Sequence, residues 1–244
     1  VQVDAIALHL RPRSMSEAID LGIRLVQANA RSVWASFAPV YLIVAMIALA
    51  SGAVATWLPA LIIFWLKPWL DRTLLFVLSR AVFGTKTRLA DVWAAQRSVW
   101  WQRLPTTLTT RRLSPWRAYT QPALQLEGQR GGAWRARRQQ LLRGKRGAAM
   151  GMHLVFAHFE VLLLVGAMIF AVLFVPEDAR SSAWGALFTG EGPAASMLIA
   201  ALYAAAVLLL EPFYVGAGFA MYLNRRVELE AWDVEQEFRL AFAG

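Results

Sequence analysis

The 244-residue chain contains no cysteine, which excludes disulfides, thiolate metal sites and cysteine nucleophiles. Histidine is scarce too: there are three, and no Gly-x-Ser-x-Gly turn accompanies them, so no Ser-His-Asp constellation of the hydrolase kind can be drawn up. Charged residues make up 17% of the chain, against about a quarter in an ordinary soluble domain. The first thirty residues hold Arg11, Arg13 and Arg24 but no continuous apolar core, so no secretory leader is read there. Apolar residues, by contrast, reach 58%, more than one soluble core of this size would cover. The composition therefore points to a membrane protein.

Long uncharged runs carry the same message. From Ser32 to Leu66 no residue is charged, and one straight helix of that length would measure about 52 Å, too long for a single crossing of roughly 30 Å. Ser51-Gly52 and Pro59 offer a turn, which gives expected spans at 33–54 and 57–83. The second is unusual, because Lys67-Pro68-Trp69-Leu70-Asp71-Arg72 interrupts it. It is read as a broken span, with a re-entrant piece plus an interfacial helix as the alternative. Further spans are expected at 150–175 and 194–224.

Charge asymmetry orients these spans. Residues 85–149 contain fourteen Lys and Arg against Asp91 and Glu127, whereas 176–193 carries Glu177, Asp178 and Glu191 against Arg180. The positive-inside rule places the first loop in the cytoplasm and the second outside, and four crossings put both termini inside. The expected fold is thus an all-α integral membrane protein, a four-span bundle forming a single membrane domain over 1–244. Amphipathic interfacial helices are expected at both termini and in the basic cytoplasmic loop. At the N terminus, Ser14-Met15-Ser16-Glu17 fits a capping box opening a helix over 14–32, with Ile19, Ile23, Val26 and Ala30 as its apolar stripe. At the C terminus, 225–242 reads as an acidic amphipathic helix with Val227, Ala231, Val234 and Phe238 on one side. It is able to dock on the basic loop or to present a solvated acidic face.

Within the loop, Leu89 to Leu104 and 133–143 read as basic amphipathic helices, and the segment carrying Pro105, Ser114-Pro115 and Gln121-Pro122 reads as turn-rich. Arginines interleaved with tryptophan and tethered between spans suit anionic headgroups. Arg97, Arg103, Arg111, Arg112, Arg135, Arg137 and Arg138 are the expected contacts to lipid or a partner protein. Nucleic acid is not expected, since a groove-reading element would have to stand free of the bilayer. Gly128-Gln129-Arg130-Gly131-Gly132 lacks the spacing and the Lys-Ser/Thr of a phosphate loop. His153, His158 and Glu160 do not have the His-Glu-x-x-His spacing, so neither a metal nor a cofactor is expected.

Ionisable groups at membrane depth are the sharpest signal, since an unpaired charge there costs several kcal/mol by the central range of estimates. Lys67 lies about 15 Å into its span, with Asp71 and Arg72 one turn on, and Glu160 lies about 15 Å into the third. Glu211 lies roughly 20 Å from the cytoplasmic end of the fourth. Lys67, Asp71, Arg72, Glu160 and Glu211 are therefore expected to form one intramembrane charge cluster. It would be either a polar path opened by breaks at Pro68 and Pro212, or a salt-bridge network pairing Lys67 and Arg72 with Glu160 and Glu211. A Lys67–Asp71 pair at i,i+4 is a further option. Gly216 and Gly218, with Ala200 and Ala204, allow close helix approach.

Two stretches carry a family likeness. Arg11-Pro12-Arg13-Ser14-Met15-Ser16-Glu17-Ala18-Ile19-Asp20 opens the chain's first amphipathic helix. Near the other end stand Glu211-Pro212-Phe213-Tyr214-Val215, Tyr222-Leu223-Asn224-Arg225-Arg226 and Glu230-Ala231-Trp232-Asp233. In these the chain resembles a group of uncharacterised bacterial multi-pass membrane proteins, similar in pattern to the membrane domain of glycerophosphodiester phosphodiesterases. The resemblance implies an inner-membrane bundle with a cell-envelope task. It does not imply hydrolysis, because the His-Arg-Gly start and acidic metal ligands of the catalytic domain have no counterpart here. The expected function is a non-enzymatic inner-membrane subunit whose partners are anionic inner-leaflet lipids and membrane proteins, the latter in a hetero-oligomer. The alternative is a small transporter or lipid-handling protein that uses the buried charges.

Overall fold

The structure, a computed structural model, describes residues 13–102, 104–109, 112–190 and 192–230. Among these the chain is helical, with no strand. Three helices are long and apolar enough to cross a membrane: α2 (Ala30–Ala50, prolonged by a 3-10 turn to Ala53), α8 (Arg146–Leu173) and α10 (Pro193–Glu230). Between and around them lie α1 (Met15–Ala28), α3 (Leu58–Ala81), α4 (Leu89–Ala94), α5 (Leu104–Leu108), α6 (Arg117–Gln125), α7 (Gly131–Leu142) and α9 (Arg180–Thr189).

Prolines do not divide these helices. Pro39, Pro68 and Pro212 each lie inside an unbroken helix, so α3 is continuous where a break was expected. At 24 residues and 1.5 Å per residue it is roughly 36 Å long. The basic loop also departs from expectation. The helix expected from Leu89 to Leu104 is α4 followed by a π-helical turn over Arg97–Trp101. The segment read as turn-rich contains α6, which runs through Pro122 and is almost wholly buried. Likewise, α10 continues without interruption to Glu230, so 225–230 prolongs the fourth long helix. The rest of the expected acidic helix, with Ala231, Val234 and Phe238, lies outside the described residues.

Packing divides the chain into two units. One comprises the described residues within Val1–Phe37, Pro68–His153 and Pro212–Gly244, and the other comprises Ala38–Lys67 and Leu154–Glu211. They are termed the basic and the apolar unit.

In the apolar unit, Met168 and Val172 of α8 form a core with Leu187 of α9, flanked by Trp184, Ala195, Ile199 and Leu202. The Tyr41 hydroxyl donates to Ala204 O (2.7 Å), tying α2 to α10. Gly190 ends α9 in the left-handed conformation (φ 68°), the usual role of glycine after a helix. Much of this unit's large apolar surface faces outward, including Ile43, Ile47, Leu162, Phe170 and Leu173. Water would penalise such a surface and lipid would not.

In the basic unit, the expected capping box opens α1. Ser14 Oγ accepts from Glu17 N, and the Glu17 carboxylate accepts from Ser14 N. The buried face of α1 is Ala18, Gly22 and Val26; of the expected stripe Val26 is buried, whereas Ile19, Ile23 and Ala30 are only half-buried. Small side chains win because α1 lies directly on α10: a Cβ at Gly22 would sit 2.3 Å from Gly216 O. Asn224 locks the start of α1 by accepting from Arg13 N (2.8 Å) and donating to Arg13 O (2.9 Å). Gly218 admits α6 in the same way, its Cβ position lying 2.5 Å from Ala118 Cβ. Helix α6 packs on α7, where the Tyr119 hydroxyl donates to Leu141 O (2.8 Å). Burial pushes that hydroxyl well above its ordinary pKa, so it remains a donor.

Candidate functional site

The expected cluster of five charges is resolved into separate groups. In the apolar unit, Lys67 Nζ lies 2.6 Å from Glu160 Oε2 and 2.8 Å from Glu211 Oε2. Lys67 and Glu211 are almost fully buried, while Glu160 keeps about a fifth of its side-chain surface. The three side chains come from α3, α8 and α10, so the triad fixes the register of three helices at once. Its formal charges do not balance, because one ammonium serves two carboxylates.

Asp71 and Arg72 belong to the basic unit. Asp71, 1% exposed, lies 3.1 Å from Nε of Arg117, itself 4% exposed. The Arg117 guanidinium also sits over the Tyr214 ring at 5.0 Å. Arg72 donates to Ser98 O (2.8 Å), Thr107 Oγ1 (3.3 Å) and Gln102 O. These carbonyls close the π-helical turn, and a guanidinium there satisfies acceptors that a helix C-terminus leaves open. Tryptophans reinforce the junction: Trp69 Nε1 donates to Trp100 O (3.1 Å) and Trp100 Nε1 to Thr73 Oγ1 (2.9 Å). Gln121 and Gln125 of α6 reach the α3 backbone at Pro68 O (3.4 Å) and Arg72 O (2.9 Å). Lys67, Asp71 and Arg72 of α3 thus each meet a protein partner.

The arginines expected at lipid or partner surfaces divide by burial. Arg97 and Arg135 are exposed and Arg138 is half-buried, its guanidinium 5.4 Å from the Trp116 ring centre. Arg112 is buried at 8% exposure, which removes it from any lipid-facing surface. Arg137 is held inside the unit by a bidentate contact to Glu127 (2.8 Å on each oxygen) and by Glu230. Arg103 and Arg111 lie outside the described residues. The exposed side of 83–101 carries Phe83, Trp93 and Trp101 beside Lys86, Arg88 and Arg97.

The acidic end of α10 docks on the basic loop. Lys145 Nζ lies 2.9 Å and Arg225 Nη1 2.6 Å from Glu228, and Arg226 lies 2.5 Å from Glu230. These residues follow the span limit expected at 224. Burial acts to raise both carboxyls, but hydrogen bonds and charge from Lys145 and Arg225 hold Glu228 below its ordinary value. Arg226 and Arg137 do the same for Glu230.

The histidines have their own partners. His153 Nδ1 is 3.0 Å from the Tyr214 hydroxyl and His158 Nδ1 is 2.7 Å from Leu154 O. Arg117 was missed as a site residue because its surroundings, Ser-Pro-Trp-Arg-Ala-Tyr-Thr-Gln-Pro, carry turn formers and no apolar period. The available signal was Asp71 itself, a carboxylate within a span, which demands a basic partner. Comparison with protein-family models, with curated proteins and with solved structures finds no match to this chain.

Proposed function

We propose that this chain is a non-enzymatic subunit of a bacterial inner membrane, crossing it four times with both termini in the cytoplasm. Its basic unit binds anionic lipid and partner membrane proteins within a cell-envelope assembly. The fourth crossing is α3, whose apolar run is interrupted by Lys67, Asp71 and Arg72. Its length suffices and its charges are met by protein, so it need not present them to lipid. With three crossings alone, either the arginine-bearing N-terminal segment or the basic 85–149 segment would lie outside, against the positive-inside rule.

The observation that carries the functional reading is how the loop's charge is distributed. Part of it is consumed internally by Glu127, Glu228 and Glu230, while Lys86, Arg88 and Arg97 remain outward beside Trp93 and Trp101. Exposed tryptophan alternating with exposed cations is the composition of an interface with anionic headgroups. The likeness to the membrane domain of glycerophosphodiester phosphodiesterases is consistent with such a role, without that family's hydrolytic chemistry. Gentle extraction of the tagged protein from its native membrane, followed by mass spectrometry, tests the proposal. Retained anionic lipid together with a stoichiometric protein partner is the expected result. A monomer free of both would refute it.

A second reading, a small transporter or lipid-handling protein, is favoured by the unbalanced charge of Lys67, Glu160 and Glu211. It requires that Glu160→Gln and Glu211→Gln abolish function while the fold persists. Variants that lose only stability would reduce the triad to a structural clasp.

A further inference from the structure

The basic unit contains a cavity of about 330 Å³ at the start of α6, within the ordinary size of small-ligand sites. Arg117, Thr120 and Gln121 line it from one face of α6, at positions i, i+3 and i+4. Trp134, Arg135 and Arg138 line it from α7. Ser114, in the turn before α6, completes the lining. Asp71 offsets the charge of Arg117, which leaves Arg135 and Arg138 as cations without a carboxylate among the described residues. We propose that this cavity binds a phosphate-bearing anion.

Three observations converge on it. The Ser114 hydroxyl oxygen is buried, and among the described residues no group hydrogen-bonds to it. A buried hydroxyl left in that state costs free energy that a ligand oxygen would recover. The Arg135 and Arg138 guanidiniums likewise meet no carboxylate or hydrogen-bond acceptor among the described residues, and Arg138 is aimed by its stacking on Trp116. Such paired forks match the oxygens of a phosphate. Finally, no side chain caps α6 at Trp116, so the positive end of its dipole contributes to the same place. Neutral polar solutes would leave the two arginines uncompensated, and a carboxylate would engage fewer of these donors than a phosphate.

The cavity also has a definite position along the chain. Trp116 Nε1 donates to Arg146 O (3.2 Å) at the first residue of α8, where the second of the three long apolar helices begins. On the topology proposed above, that is headgroup level at the cytoplasmic face. The phosphate can therefore belong to an anionic phospholipid or to a soluble phosphate compound. The lipid source rests on the lipid-binding reading, whereas the anion site does not.

The test uses the full-length protein purified without phosphate. One arm places it in nanodiscs of phosphatidylcholine with or without phosphatidylglycerol, and retained lipid is counted by native mass spectrometry. The other titrates the detergent-solubilised protein with inorganic phosphate and glycerol 3-phosphate, reading heat release and the thermal midpoint. Loss of the two arginines in an Arg135→Gln/Arg138→Gln variant is expected to weaken binding by at least about tenfold. Ser114→Ala is expected to weaken it severalfold. Arg24→Gln, an exposed cation of α1 outside both the cavity lining and the Trp93/Trp101 surface, is expected to match the parent. Midpoints measured without any probe show whether the variants remain folded.

Retention of phosphatidylglycerol that the double variant loses supports the site with lipid as its source. Binding of the soluble phosphates without lipid retention supports the site while the lipid-binding reading falls. Undiminished lipid retention by the double variant overturns the cavity and leaves that reading standing. A parent protein that binds none of the probes overturns the proposal outright.

Discussion

A single methyl group at Gly22 tests the central packing of the basic unit. In an open helical position, glycine to alanine stabilises by about 0.5–1 kcal/mol through propensity alone. At Gly22 the new Cβ would sit 2.3 Å from Gly216 O and 2.7 Å from Ala217 Cα. Both are backbone atoms, so no rotamer change relieves the clash and α1 must move off α10. Overpacking of this kind costs about 1–3 kcal/mol, and a net loss of about 2 kcal/mol is expected after propensity is included. Gly216→Ala should cost less, because its closest contact is the Val26 side chain at 2.6 Å and its nearest backbone atom, Gly22 O, is at 2.9 Å rather than 2.3 Å. Gly151→Ala and Gly166→Ala on α8 meet nothing within 4 Å and provide the control, expected to be neutral or slightly stabilising. Circular dichroism melts in one detergent should place Gly22→Ala roughly 4–8 °C below the parent and the α8 variants at or above it. If Gly22→Ala melted with Gly151→Ala, α1 would not be docked on α10 as described.

Three other expectations can be checked independently. Breaking the buried Asp71–Arg117 pair by Asp71→Asn should destabilise by about 3–5 kcal/mol, while the double change Asp71→Asn/Arg117→Met should recover part of the loss; chemical unfolding of the single and double variants measures it. Glu228 and Glu230 are held below their ordinary pKa by basic partners, so their stabilisation is present above the unfolded carboxylate value of about 4.3. It is lost as pH falls through the lower folded values, and the midpoint difference between the parent and Glu228→Gln/Glu230→Gln should close below about pH 4. Because the chain has no cysteine, single-cysteine labelling reads topology directly. Gly128→Cys should react with an impermeant thiol reagent only after the cytoplasmic face is opened, and Thr56→Cys, in the exposed turn between α2 and α3, in intact spheroplasts. Labelling of both from one side would remove α3 as a crossing.

Much of the architecture is legible without coordinates, because the bilayer imposes a local rule. A long apolar run needs no distant partner to become a helix there, so α2, α8 and α10 can be read from windows of sequence. The capping box at Ser14 and Glu17 is equally local. Site residues are legible only in part. Lys67, Glu160 and Glu211 meet as one of the expected pairings supposed, since depth along a helix can be counted from sequence. Asp71 and Arg72, one turn away, are claimed by α6 and the π-helical turn.

What the amino-acid order determined by itself, then, is which segments are helical and apolar and where unpaired charge would be intolerable. Tertiary structure alone decided which partner each charge takes and which face of α1 is buried. It also decided that polar, proline-containing α6 is a buried helix. The reason is range. Helix propensity and hydropathy act within a few residues, whereas the partner of Lys67 lies 93 positions away at Glu160. The seat of Gly22 is the backbone of another helix at Gly216. A small residue in an amphipathic helix gives no sign of whether it faces solvent or a backbone at contact distance.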